Sequence, residues 1–256
     1  MIIFSFISVT LVHIEWYIVM LVNVIIIGIL CVAMRTSITA MRGNIFFTAG
    51  KYDSARIYFD KAIKKNTKVA SAYLNYAVML VREGDAKTAL IHLNKASTLG
   101  SNIMVEKNII LTKASCYWLL GNIQESIDLL EGMQKKYDYI NSHALTTLAY
   151  MYVLKKDYDK ALEYTNKAIE DSPESAAAWD NLGQIYYNQE DYTQAKEAFN
   201  KALSFNGNLV DSCYYMGKIY KIEGNIEEAK KYFTKASAGN ISPLNTVTKQ
   251  QIESEL

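Results

Sequence analysis

The chain has 256 residues, with 27 lysines and arginines against 26 aspartates and glutamates and a formal net charge of +1. The two signs are interspersed, so there is no basic stripe to neutralise a phosphate backbone, which argues against nucleic acid as a partner. Three isolated cysteines give no disulfide framework and fit a reducing compartment.

The N-terminal segment, residues 1–35, is apolar. After His13 and Glu15 the chain runs from Trp16 to Met34 without a charge, and as a helix those 19 residues rise roughly 28 Å, about the thickness of a bilayer's hydrocarbon core. This predicts one transmembrane helix over 16–34, with Trp16 and Tyr17 at one interface and Arg35 at the other. The first twelve residues are too short to cross alone; they extend the same helix or lie in the interface. Arg35, Arg42 and Lys51 all follow the span while Glu15 precedes it, so the expected topology is a single pass through the cell membrane with the remainder cytoplasmic. A cleaved secretory signal fits less well. It would lack a basic start, its apolar stretch is too long, and Leu30 stands where a cut before Cys31 needs a small residue; a cut after Ala40 stays open.

Beyond the span a short signature recurs six times: Gly50-Lys51…Ala55, Gly84-Asp85…Ala89, Gly121-Asn122…Ser126, Lys156-Asp157…Ala161, Glu190-Asp191…Ala195 and Gly224-Asn225…Ala229, at intervals of 34, 37, 35, 34 and 34 residues. A period of this size predicts a stacked array, each unit covering its neighbour's apolar face. Between signatures the apolar spacing is that of two amphipathic helices per period. The glycines sit where a helix ends in a left-handed residue, and the Asp or Asn that follows is a helix N-cap. Asn122 with Glu125, Asp191 with Gln194 and Asn225 with Glu228 have capping-box spacing.

In the clearest unit, counted from Ala176, Trp179, Leu182, Gly183 and Tyr186 fall at positions 4, 7, 8 and 11, and Ala195, Phe199 and Ala202 at 20, 24 and 27. This pattern closely resembles the tetratricopeptide repeat. The same frame gives units at 36–69, 70–106, 107–141, 142–175, 176–209 and 210–243, with 244–256 as a C-terminal capping helix whose Val247, Ile252 and Leu256 share one face. Position 8 is Gly43, Ala77, Ala114, Ala149, Gly183 and Gly217, small throughout, so that paired helices approach closely. Tyr117, Tyr152, Tyr186 and Tyr220 share position 11 and read as core. The expected fold is all-α: an α-α superhelix of about six repeats preceded by the transmembrane helix, which runs without a Pro or Gly from Arg35 to Arg42 into the first repeat.

The resemblance implies that the first helices of successive repeats line a concave groove, with positions 2, 5, 9 and 12 facing it. Carried onto this chain, the middle and late groove offers Trp118, Tyr150, Asp180, Gln184, Tyr187, Tyr214, Lys218 and Lys221, aromatics interleaved with polar groups that suit an extended protein or peptide segment. Packing between neighbouring repeats is the competing reading for Trp118 and Tyr187. A clamp for a terminal carboxylate is not expected, because position 5 is Ala40, Leu74, Leu111, Thr146, Asp180 and Tyr214 rather than lysine. The histidines, His13, His92 and His143, are scattered, and no metal-ligand spacing, phosphate loop or nucleophile elbow occurs. No enzyme activity, cofactor or metal is expected. The reading is a membrane-anchored scaffold or adaptor for a protein or peptide partner; the alternatives are a sensor of a small signalling peptide and a regulatory subunit that positions a separate membrane enzyme.

Overall fold

The computed structural model describes residues 2–138 and 140–256, without the side chains of residues 2–15 and 31–33. The described residues are all-helical: α1 (Ile2–Thr48), α2 (Tyr52–Lys64), α3 (Ala70–Arg82), α4 (Ala86–Thr98), α5 (Ile103–Leu119), α6 (Ile123–Tyr137), α7 (Ser142–Leu154), α8 (Tyr158–Asp171), α9 (Ala176–Asn188), α10 (Tyr192–Phe205), α11 (Val210–Ile222), α12 (Ile226–Ser237) and α13 (Lys249–Glu253). They form two compact units, Met1–Tyr73 and Leu74–Leu256.

In the first unit α1 is bent, its stretches Trp16–Leu30 and Met34–Thr48 meeting at 51°. Among the described residues no single helix is long and apolar enough to cross a membrane; those two stretches reach that length only together. The expected span over 16–34 runs across that bend. The side chains of its residues 31–33, Cys31 included, and those of the first twelve residues lie outside the described ones. The end of α1 packs on α2, with Phe59 fully buried and Phe46 stacked on Tyr58 at 5.3 Å. Asn44 Nδ2 donates to Ser71 Oγ at 2.8 Å.

In the second unit α5 packs on α6, α7 on α8, α9 on α10 and α11 on α12, and α7, α9 and α11 also touch in sequence. The first helices thus form one layer and the second helices another. The pairs close through a size exchange between positions 8 and 24 of each repeat. Gly183 faces Phe199 so closely that a Cβ on Gly183 would stand 2.5 Å from the ring, and Gly217 against Phe233 and Gly43 against Phe59 repeat the arrangement at 2.6 Å. Where position 8 is alanine, at Ala77, Ala114 and Ala149, position 24 is the smaller Leu93, Leu130 and Thr165, and all six side chains are buried. One methyl on one helix is traded for ring volume on the other, as close packing demands.

The turns between paired helices follow the expected chemistry. Gly50, Gly84, Gly121 and Gly224 have φ between 71° and 83°, and Lys156 and Glu190 take the same left-handed region at 60° and 61°. Asp85, Asp157, Asp191 and Asn225 each accept from the amide three residues on. The expected capping boxes are corrected. Asn122 makes no side-chain cap bond, the Gln194 amide reaches the Asp191 carboxylate instead of its backbone, and the Glu228 carboxylate turns to Lys231. A reciprocal box forms at Thr248 and Gln251, opening α13.

The position-11 tyrosines are corrected too. Tyr152 is buried, but Tyr117, Tyr186 and Tyr220 are half-buried. Tyr186 and Tyr220 pack against the core while keeping part of their surface exposed, as an amphipathic side chain prefers; Tyr220 stacks on Tyr232 at 5.4 Å, and the Tyr152 hydroxyl donates to Glu131. At the C-terminus Val247 and Ile252 join the core of α11 and α12, whereas Leu256 is exposed, because α13 ends before Leu256 can share their face.

Candidate functional site

Local chemistry starts the first helices of three repeats in register. The Asn102, Asn141 and Ser175 side chains accept from Val105, Ala144 and Ala178 amides, and Trp179 Nε1 donates to the Pro173 carbonyl at 2.8 Å, holding the chain at the start of α9. Across the layer, Asn181 Nδ2 donates to the Thr146 carbonyl at 2.8 Å and ties α9 to α7.

Four consecutive first helices converge on a cavity of about 240 Å³. From α5 come Ser115 and Trp118; from α7, His143, Thr146, Thr147 and Tyr150. Helix α9 adds Ala177, Asp180, Asn181 and Gln184, α11 adds Asp211, and Leu244 and Thr246 close one side. Trp118 meets Tyr150 edge to face at 4.9 Å. Of the eight residues expected in the groove, Trp118, Tyr150, Asp180 and Gln184 therefore share one cavity.

The other four lie elsewhere. Tyr187 packs on Tyr192 and Tyr215, at 5.8 and 4.9 Å, and Tyr214 on Tyr215 and Phe233, at 5.5 and 5.7 Å. Lys218 and Lys221 both donate to the Glu255 carboxylate, at 2.9 and 2.6 Å, so the C-terminal segment occupies the end of the groove that these lysines were expected to offer. Expectation missed Ser115, His143 and Asp211 on the cavity wall. The signal was present, since they stand at positions 9, 2 and 2 of their repeats, within the same frame that selected the others.

The polar end of the cavity holds two buried carboxylates. Asp180 accepts from the Ser212 hydroxyl and from Gln184 Nε2 at 2.7 Å. Burial, and then the Asp211 charge, push its carboxyl up to about 7. Asp211 is better provided for, accepting from Asn245 Nδ2 at 2.9 Å, from the Thr246 amide and hydroxyl at 3.0 and 2.9 Å, and from the Val247 amide at 3.2 Å. Burial raises its pKa while these donors pull it back, so Asp211 is the better stabilised of the two as an anion. Among the described residues no lysine or arginine lines the cavity. Cys116 and Cys213 are buried in the helix layer, and burial pushes the Cys116 thiol up to about 12, so it stays an unreactive thiol.

Profiles described as tetratricopeptide repeat match residues 40–102, 142–174, 176–209 and 210–237, together more than half of the chain. Among curated proteins the chain is similar to the protein-lysine N-methyltransferase SMYD4 of Pongo abelii, 28% identical over 99 residues, which cover 37% of this chain and 12% of that protein. Among solved structures it is similar to the Cut9 and Hcn1 hetero-tetramer of the APC/C, with TM-score 0.70 and 21% identity over 86% of this chain and 43% of that one. It is also similar to PilF of Pseudomonas aeruginosa, with TM-score 0.60 and 16% identity over 86% and 97% of the two chains. The thermophilic protein TTC0263 of Thermus thermophilus gives TM-score 0.61 and 17% identity over 73% and 98%.

Proposed function

Because the chain belongs to the tetratricopeptide-repeat family, whose members bind protein or peptide partners, we propose that it is a non-catalytic scaffold that holds an extended protein segment in the groove of its first helices, anchored to the cell membrane by the N-terminal part of α1 with the repeats on the cytoplasmic side. The observation that carries this reading is the convergence of α5, α7, α9 and α11 on one cavity with an aromatic wall and a polar end. Rigid rings supply contact area at low entropic cost, and a few fixed polar groups set orientation. The anchor is supported by composition and exposure: every side chain from Trp16 to Leu30 is exposed, an apolar surface too large for a water-facing segment. Tethering would raise the local concentration of a weakly held partner near membrane complexes.

A photoreactive residue in place of Thr147, on the cavity wall, is expected to crosslink a cellular protein, whereas one in place of Lys167, exposed on α8, is not. Labelling from position 167 alone would move the binding face to the second-helix layer. Carbonate extraction tests the anchor, since release of the intact chain would remove it. Digestion of the C-terminus by protease outside intact cells would reverse the topology.

A further inference from the structure

We propose that the cavity between Trp118, Tyr150 and Asp180 is a pocket for a cationic side chain, an arginine or lysine of the bound peptide, with Asp180 as its counter-ion. The inference rests on the groove reading above and specifies what the groove selects. Three independent features meet here. Two carboxylates, Asp180 and Asp211, are buried with no lysine or arginine on the cavity wall among the described residues, and the charged form of His143 on that wall is disfavoured by desolvation. A buried charge with no opposite charge beside it costs stability and persists where a ligand supplies the missing partner. The Tyr150 side chain is more than nine-tenths buried on the cavity wall, where its hydroxyl feels the charges of both Asp180 and Asp211. It brings a hydroxyl donor and acceptor to the carboxylate end of the cavity. The third feature is the edge-to-face pair of Trp118 and Tyr150, whose ring faces attract a cation held within about 6 Å.

The division of labour between the carboxylates follows from their hydrogen bonds. Asp211 is saturated by Asn245, Thr246 and Val247, so its role is to hold charge in place. Asp180, with two donors only, has lone pairs left for an incoming N–H. Arrival of the cation expels the proton that Asp180 holds, so affinity rises with pH through the range where Asp180 titrates. The groups facing it are Asp211, Tyr215 and Cys213 on α11 and Tyr150 on α7. His143 stands at the cavity wall, and desolvation lowers its pKa and so disfavours its charged form.

The test uses the full chain in mild detergent, labelled with 5-fluorotryptophan so that Trp118 is read separately from Trp16 and Trp179. The probes are short acetylated, amidated glycine–serine peptides with one central arginine, lysine, citrulline or glutamate. The arginine and lysine peptides are expected to shift the Trp118 fluorine signal and to bind at least about tenfold more tightly than the citrulline peptide, a difference of about 1.4 kcal/mol. Asp180→Asn is expected to erase that preference. Should Asp180→Asn fail to fold, Thr147→Lys, which puts a tethered ammonium at the half-exposed cavity wall, is expected to abolish the shift. Equal binding of the arginine and citrulline peptides at Trp118 overturns the cation pocket while leaving the groove reading intact. Failure of every peptide to shift Trp118, with no crosslink from position 147, overturns both.

Discussion

At Gly183 a single hydrogen stands where a methyl would meet the Phe199 ring at 2.5 Å, and this contact sets how closely α9 and α10 approach. Gly183→Ala is expected to destabilise by about 1–3 kcal/mol through overpacking. Phe199→Leu alone leaves a cavity, but the two changes together restore the alanine and leucine pairing that Ala77 with Leu93 and Ala114 with Leu130 already use. A double-mutant cycle by urea denaturation should therefore return a favourable coupling of at least about 0.5 kcal/mol, and strict additivity would reject the size-exchange account. Asp180 carries a second prediction at this scale. Its folded pKa is raised above the ordinary carboxylate value, so the folded state holds a proton that the unfolded chain has released. Its burial costs nothing below about pH 4, and the penalty grows as pH rises from there to about 7. Asp180→Asn keeps the site isosteric, and the Gln184 amide can turn its oxygen toward the new donor. The variant is expected to be more stable than the parent at pH 8 by on the order of 2 kcal/mol, with the gap closing toward pH 4. Thermal melts at the two pH values check this, and a variant less stable at pH 8 would mean that the carboxylate is held for structure. A side chain that stabilises when neutralised and abolishes binding at the same time is the signature expected of a ligand's counter-ion.

Each helix pair is an element with its own turn, and four of the six turns place glycine at the left-handed position while Lys156 and Glu190 occupy it in the other two. For residues with a Cβ that conformation costs on the order of 1 kcal/mol. Lys156→Gly and Glu190→Gly are each expected to raise stability by about 0.5–1 kcal/mol, less the extra freedom glycine gives the unfolded chain. Both side chains are exposed, so no packing is lost. Calorimetry settles it, and a fall in Tm for both would show that the backbone is not strained there. This part of the structure was legible in advance, because a turn residue and the cap behind it answer to neighbours one to four positions away. The capping boxes were not. Spacing alone cannot tell whether the Glu228 carboxylate turns back to the backbone or out to Lys231, since both lie within its reach.

Across the second unit the C-terminal segment does more than cover an end. Pro243 packs against the turn at Gly84, Asn245, Thr246 and Val247 donate to Asp211, and Glu255 takes both Lys218 and Lys221. Truncation after Pro243 removes two buried side chains, Val247 and Ile252, each contributing on the order of 1.5–3 kcal/mol, together with the donors that Asp211 accepts from. The truncated chain is expected to unfold first in α11 and α12, read by hydrogen exchange. Unchanged protection there would confine the segment to a surface role.

The period, the helix pairs, the turns and the small-to-large packing rows could all be read from the amino-acid order, because each rests on contacts between residues close in the chain or on an exchange repeated in every unit. The groove frame was readable in the same way, and it placed Trp118, Tyr150, Asp180 and Gln184 on one wall. Which groove positions remain free, and which are spent, depended on the folded array. Lys218 and Lys221 look equally available in the chain, yet Glu255 reaches them from the far side of a repeat. Asp180 and Asp211 carry no mark of partnership until the stacking of α9 on α11 buries both beside a cavity with no lysine or arginine among the described residues of its wall. Local propensity and period act over a few bonds, whereas desolvation and the pairing of charges are properties of the space that stacked repeats enclose.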